Sequence, residues 1–213
     1  MSGMNHFSDL FLQMPLVAIL RGIQPEEAVS IAQALVDAGF TIIEVPLNSP
    51  EPLRSIEAIE QAVGDRAMVG AGTVLRPQQA EAVLSTGARL VIAPNLNLAV
   101  ADVVRQHDGY WCPGVFTATE AFSALDAGAA ALKLFPAELM PPVGVKALRA
   151  VLPAEALVLP VGGITPASLA AYWQAGANGF GLGSALYRPG DSAQKVTQSA
   201  KAFVQSMRSL IPL

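Results

Sequence analysis

Eight short apolar runs recur along the chain, at 16–21, 42–47, 68–73, 90–94, 110–114, 130–135, 157–162 and 179–183. Each is followed by a turn with Pro, Thr, Ser or Asn and then by a stretch of helical period, often closed by a glycine. Gly39, Gly64, Gly87, Gly109, Gly128 and Gly176 fall at the expected helix ends, with early spacings of 25, 23, 22 and 19 residues. That spacing holds one strand, one helix and two short loops. Glycine past a helix end supplies a left-handed cap. Pro25, Pro50, Pro77 and Pro166 sit where a first helical turn tolerates proline.

Eight strands alternating with eight helices predict an α/β fold, a (β/α)8 TIM barrel. A doubly wound open sheet is the competitor. Its usual Gly-x-Gly-x-x-Gly is absent, since the first turn reads Arg21-Gly22-Ile23-Gln24-Pro25. Residues 7–13 predict a short extra helix ahead of the first strand, placed to plug the bottom of the barrel. No linker or low-complexity segment interrupts the pattern, so one domain over 1–213 is expected, with 1–14 as an N-terminal extension.

Composition narrows the function. The chain is 52% hydrophobic and 14% charged, as expected for strands buried on both faces. No apolar stretch reaches the eighteen or so residues of a membrane span. The net charge of −4 is scattered, which argues against nucleic acid as a partner. Cys112 is the lone cysteine, so no internal disulfide and no cysteine-rich zinc site is expected. His6, in the N-terminal segment, and His107, at an expected helix end, are the only histidines and make a poor metal pair. The N-terminus shows no basic n-region or cleavage pattern, so a cytoplasmic address is the expectation.

Lys133 is a lone charge in the apolar run Ala130-Ala131-Leu132-Lys133-Leu134-Phe135-Pro136. Lysine is almost never fully buried without a partner or a task. Burial lowers its pKa, and a neutral amine attacks carbonyl carbon to form a Schiff base. The plainer alternative, an edge strand with Lys133 in water, would put more polar residues on that face. Alternation places Lys133 with Ala131 and Phe135, and Leu132 and Leu134 on the other side, so Lys133 points into the barrel.

In such barrels the active site lies at the C-terminal strand ends. The polar residues sort to that end: Arg21, Glu44, Thr73, Asn95, Lys133 and Ser184. Glu44 reads as a general acid/base, or otherwise as an ion-pair partner for Lys133 or Arg21. Gly162-Gly163 and Gly183-Ser184 fall in the last two loops, where these barrels often hold phosphate. Tight turns without a ligand are the alternative. Together these residues describe C–C bond cleavage or formation beside a carbonyl. The lysine iminium serves as electron sink, so no metal or organic cofactor is expected.

Several segments resemble the 2-keto-3-deoxy-6-phosphosugar-acid aldolases, a family of class I enzymes. They are Val17-Ala18-Ile19-Leu20-Arg21-Gly22, Ile43-Glu44-Val45-Pro46-Leu47-Asn48-Ser49-Pro50, Gly70-Ala71-Gly72-Thr73-Val74 and Cys112-Pro113-Gly114. Ala118-Thr119-Glu120-Ala121, Leu132-Lys133-Leu134-Phe135-Pro136 and Val161-Gly162-Gly163-Ile164 continue the match, which covers nearly the whole chain. The resemblance implies Lys133 as the Schiff-base lysine and Glu44 as the acid/base. It implies Arg21 and Thr73 as contacts to the pyruvate carboxylate, and Pro94 and Phe135 as pocket walls. Gly162, Gly163, Gly183 and Ser184 would bind phosphate, and the enzyme would be a homotrimer acting on a small phosphorylated sugar acid.

Two branches of that family differ in the sugar. Glu44-Val45-Pro46-Leu47-Asn48, Pro94-Asn95 and Cys112-Pro113-Gly114 are similar to the galactonate branch, whereas Phe135-Pro136-Ala137-Glu138 is closer to the gluconate one. The expectation is therefore the galactonate substrate, with gluconate as the alternative. A phosphosugar isomerase or epimerase with Glu44 as base, and a non-catalytic phosphometabolite sensor, are the readings of other classes. Fold alone decides none of them.

Overall fold

The structure is a computed structural model that describes residues 7–211. His6 and the start of the expected N-terminal extension lie outside the described residues. The expected runs form β1 (Leu16–Ile19), β2 (Ile42–Pro46), β3 (Met68–Gly72), β4 (Leu90–Ile92), β5 (Tyr110–Cys112), β6 (Gly114–Val115), β7 (Leu132–Leu134), β8 (Val158–Pro160) and β9 (Phe180–Leu182). The observed strands start within about two residues of the expected positions, and most end one or two residues earlier, so that Arg21, Thr73 and Ser184 fall in loops while Glu44 and Lys133 stay on their strands.

All strand pairs are parallel, in the orders β5-β4-β3-β2-β1-β9 and β6-β7-β8. A bridge between Val161 and Gly181 links β8 to β9. The other join is the fifth run itself, which was expected as one strand and divides at Pro113. Proline has no N–H to give to a ladder. Its carbonyl still accepts the Lys133 amide at 2.9 Å, so β7 stays in register beside the break. The result is a (β/α)8 barrel whose fifth strand is split.

The helices are α1 (Phe7–Gln13), α2 (Pro25–Ala38), α3 (Pro52–Val63), α4 (Pro77–Leu84), α5 (Leu98–Gln106), α6 (Ala118–Asp126), α7 (Pro142–Arg149), α8 (Leu169–Gln174) and α9 (Ala193–Arg208). Pro25 and Pro77 open helices as expected. Pro50 and Pro166 do not: α3 opens at Pro52, and the loop after β8 runs on to Leu169. Gly39, Gly87, Gly128 and Gly176 have positive φ, as a left-handed cap requires. Gly64 does not, because the chain makes a further turn there, with the Arg66 and Ala67 amides bonding Val63 O. Beside Gly109, Asp108 takes the left-handed conformation at φ 52°, which aspartate tolerates better than most residues.

Both strand faces are buried, against different partners. Leu16, Ala18, Ile43, Val45, Leu132 and Leu134 pack outward in the layer between sheet and helices. Val17, Ile42, Met68, Leu90, Cys112 and Leu159 point inward. Phe7, Leu10 and Phe11 of α1 join that inner cluster, so α1 closes one end of the barrel as expected. A side chain at Gly179 would collide with the Phe11 ring. With α1 packed into one end, the interior opens at the other, where the strands terminate.

Candidate active site

Lys133 lies on β7 with its neighbours Leu132 and Leu134 turned outward, and is 5% exposed. Its Nζ sits 4.9 Å from the centre of the Phe135 ring, a favourable seat for a cation in a desolvated place. Burial nonetheless dominates and pulls the amine below the ordinary lysine range. Glu44 opposes that shift, and Arg21 adds to it.

Glu44, on β2, is 1% exposed. Its Oε2 is buried with no hydrogen-bond partner. Burial raises its pKa, against the pull of Lys133 and then Arg21. Among the described residues no ion pair joins Glu44 to either cation. A carboxylate held for structure would be satisfied by its neighbours. This one is desolvated, partly unsatisfied and within the field of an amine, an arrangement suited to proton transfer.

Room for Glu44 comes from β3. A side chain at Gly72 would overlap the Glu44 carboxyl group. The sequence reading placed Gly72 at a strand end but gave it no part in the site. The signal was present in Gly70-Ala71-Gly72: glycines two apart share one face of a strand, and here that face is the barrel interior.

Glu44, Lys133 and Cys112 line one small space with Ile19 and Val161. Ile19 and Val161 also line a cavity of about 530 Å³ beside it, together with Arg21, Phe135, Gly162 and Gly183. Gly163, Ser184, Glu138 and Arg188 complete its polar lining. The expected lysine and acid/base thus lie next to the expected phosphate glycines. Cys112 faces inward, and burial pushes its thiol up to about 12, which keeps it protonated at neutral pH.

The remaining candidates are placed as follows. Arg21 is exposed on the turn after β1, and its Nη1 donates to Asn48 Oδ1 at 2.7 Å. Thr73 is half-buried at the end of β3 in a left-handed conformation, φ 56°. Such strain in a non-glycine residue clusters at functional sites. Pro94 is half-buried, with its backbone where a side chain at Gly114 would go. Neither Thr73 nor Pro94 lines the two spaces just described. Gly162 and Gly163 have φ of 115° and 64°, and a side chain on either would meet Glu138. A Cβ at Gly183 would meet no atom within 4 Å and would enter the cavity itself.

The family model for KDPG and KHG aldolases matches residues 8–199. The chain belongs to this aldolase family. It is 50% identical over 202 residues to the 2-dehydro-3-deoxy-6-phosphogalactonate aldolase of Escherichia coli K12, covering 93% of this chain and 97% of that one. It is 36% identical over 160 residues to the KHG/KDPG aldolase of the same organism, covering 74% of each. A solved native KDPGal structure superposes with a TM-score of 0.91 at 49% identity, over 93% of this chain and 96% of that one. The aldolase barrel is therefore the frame in which Lys133 and Glu44 are to be read. Among the described residues no cluster of His, Cys, Asp and Glu could hold a metal ion, and no helix is long and apolar enough to cross a membrane.

Proposed function

We propose that this family member cleaves 2-dehydro-3-deoxy-6-phosphogalactonate to pyruvate and D-glyceraldehyde 3-phosphate. The observation that carries the reading is a buried amine and a buried carboxylate, both pKa-shifted towards neutrality, beside a glycine-lined cavity. The 50% identity to the galactonate enzyme supports that sugar over gluconate.

Neutral Lys133 adds to the C2 ketone to give a carbinolamine, which loses water to form an iminium. Glu44 accepts the C4 hydroxyl proton as the C3–C4 bond breaks. The bonding electrons pass into the iminium, leaving an enamine, and the aldehyde departs. The enamine takes a proton at C3, and water hydrolyses the resulting pyruvyl iminium and restores Lys133. The iminium is the electron sink, so neither metal nor organic cofactor enters the scheme. Arg21 holds the carboxylate, Phe135 walls the keto acid, and Gly162, Gly163, Gly183 and Ser184 receive the phosphate; the parts of Thr73 and Pro94, which lie outside the two spaces, rest on the family resemblance alone.

A homotrimer in the cytoplasm is the form we assign to it. Leu53, Leu75, Leu98 and Phe116 are 37–50% exposed at or near the starts of the consecutive helices α3 to α6, and Phe122 is 41% exposed within α6. A subunit interface would cover such a row.

Borohydride reduction in the presence of pyruvate, followed by peptide mass mapping, tests the chemistry. A pyruvyl adduct on Lys133, lost with turnover in a folded Lys133→Ala variant, is expected. Near-normal turnover in that variant would overturn the Schiff-base reading and favour an isomerase or epimerase based on Glu44. Comparing kcat/KM for the two C4 epimers tests the sugar. Faster cleavage of the gluconate epimer would transfer the assignment to the branch that Phe135-Pro136-Ala137-Glu138 resembles.

A further inference from the structure

The glycines assigned to phosphate supply backbone N–H groups but no charge, and a phosphate ester carries nearly two negative charges at neutral pH. The cavity they line contains three charged side chains, Arg21, Glu138 and Arg188. Arg21 is bonded to Asn48 and is assigned to the carboxylate end. Glu138 carries the wrong sign and lies against Gly162 and Gly163. Arg188 remains.

Its tethering is specific. Arg188 Nε donates to Ser184 O at 3.0 Å, in the same loop as Gly183-Ser184. Its backbone N–H donates to Asp191 Oδ2 at 3.0 Å. Asp191 does not form an ion pair with the guanidinium: its Oδ1 pairs with Lys195 Nζ at 2.5 Å, and its charge reaches Arg188 only from farther off. Among the described residues Arg188 forms no ion pair. One edge of the guanidinium therefore fixes it to the loop, and its terminal nitrogens keep their donors. A planar cation with free paired donors matches phosphate geometry.

We infer that Arg188 is a binding residue for the phosphate end of the substrate and makes the enzyme select phosphorylated over unphosphorylated sugar acids. The inference rests on the aldolase reading for its substrate. It also offsets the Glu138 carboxylate, which an incoming phosphate would otherwise meet unopposed.

The test compares wild type with Arg188→Gln and Arg188→Lys. In Arg188→Gln, KM for the phosphorylated substrate should rise on the order of 10- to 100-fold, the weight of a charge-assisted hydrogen bond. Its kcat should stay within about threefold, since the interaction serves ground and transition states alike. KM for the same sugar acid without phosphate should not change, and Arg188→Lys should fall between. An unchanged KM for the phosphorylated substrate, or equal losses on both substrates, would overturn the inference. Calorimetric titration with glycerol 3-phosphate reads the phosphate seat without turnover. Weaker binding by Arg188→Gln supports the inference even if wild type cleaves neither epimer, in which case only the aldolase reading fails. Equal binding by the two proteins refutes the inference.

Discussion

The Glu44 carboxyl group occupies the volume that a side chain at position 72 would need. Gly72 and Glu44 are therefore coupled although they lie on different strands and their own backbones pair with other residues, Pro46 and Gly70. Gly72→Ala should displace the Glu44 carboxylate while leaving the barrel folded. Loss of a positioned acid/base is worth roughly 10²–10⁴ in rate, and displacement should forfeit at least the lower end of that range in kcat. Trapping of pyruvate on Lys133 in the same variant should persist. A Gly72→Ala enzyme with normal kcat would show that the position of Glu44 is not critical.

Removing the Glu44 charge has two separable effects. Glu44→Gln should slow turnover by roughly 10²–10⁴. It should also shift the pH profile in a direction set by the electrostatics. Only neutral Lys133 attacks, so activity falls as pH drops through the lysine pKa. Glu44 raises that pKa against the larger effect of burial. With the carboxylate gone, the acid limb of pyruvate trapping should move to lower pH. Arg21 lowers the same pKa, so Arg21→Gln should move the limb the other way. Shifts of the same sign in both variants would contradict this account.

The barrel and its chemical end were legible because two periodicities agreed. Apolar runs that start 20–27 residues apart specified strand and helix, and the polar residues gathered at one end of the runs. Lys133 stood out because a charge inside an apolar run needs a reason. What escaped the sequence were relationships across strands. Gly70 and Gly72 mark a cleared strand face, but not which side chain from the neighbouring strand leans over it. The break at Pro113 was visible as a residue, but its consequence depends on where β7 lies. Arg188 and Glu138 look like ordinary surface charges until the loops after β8 and β9 bring them to one cavity. Pro50 and Pro166 misled for a simpler reason: proline suits a turn before a helix as well as its first position.

Phe11 tests the role of α1. It is 2% exposed, stacks on Phe7 with ring centres 5.5 Å apart, and fills the barrel end beside Gly179. Phe11→Ala should lower stability by about 3–5 kcal/mol, the usual loss for a buried aromatic ring. Its kcat below the unfolding temperature should be close to wild type, because α1 lies at the opposite end from the polar strand termini. Denaturant unfolding and kinetics on the same preparation check both parts. A stable variant with reduced kcat would mean that α1 acts on the site instead of on the fold.

The buried pair should weaken the fold that carries it. Lys133 has a folded-state pKa below its unfolded value, so the unfolded chain holds that proton more tightly. Its burial therefore destabilises the protein below the unfolded lysine pKa of about 10.4, and the penalty fades as pH rises past it. Glu44 has a folded-state pKa above its unfolded value. Its contribution is favourable below the unfolded value of about 4.3 and is lost as pH rises through the folded one. At neutral pH both groups work against folding. Replacing both, Glu44→Gln with Lys133→Met, should abolish turnover and raise stability by about 1–4 kcal/mol, as for other buried charge pairs exchanged for neutral groups. The gain should shrink near pH 10.5, where the lysine penalty has largely vanished. Urea unfolding at both pH values is the check, and a double variant less stable than wild type at neutral pH would show that Glu44 and Lys133 hold the barrel together.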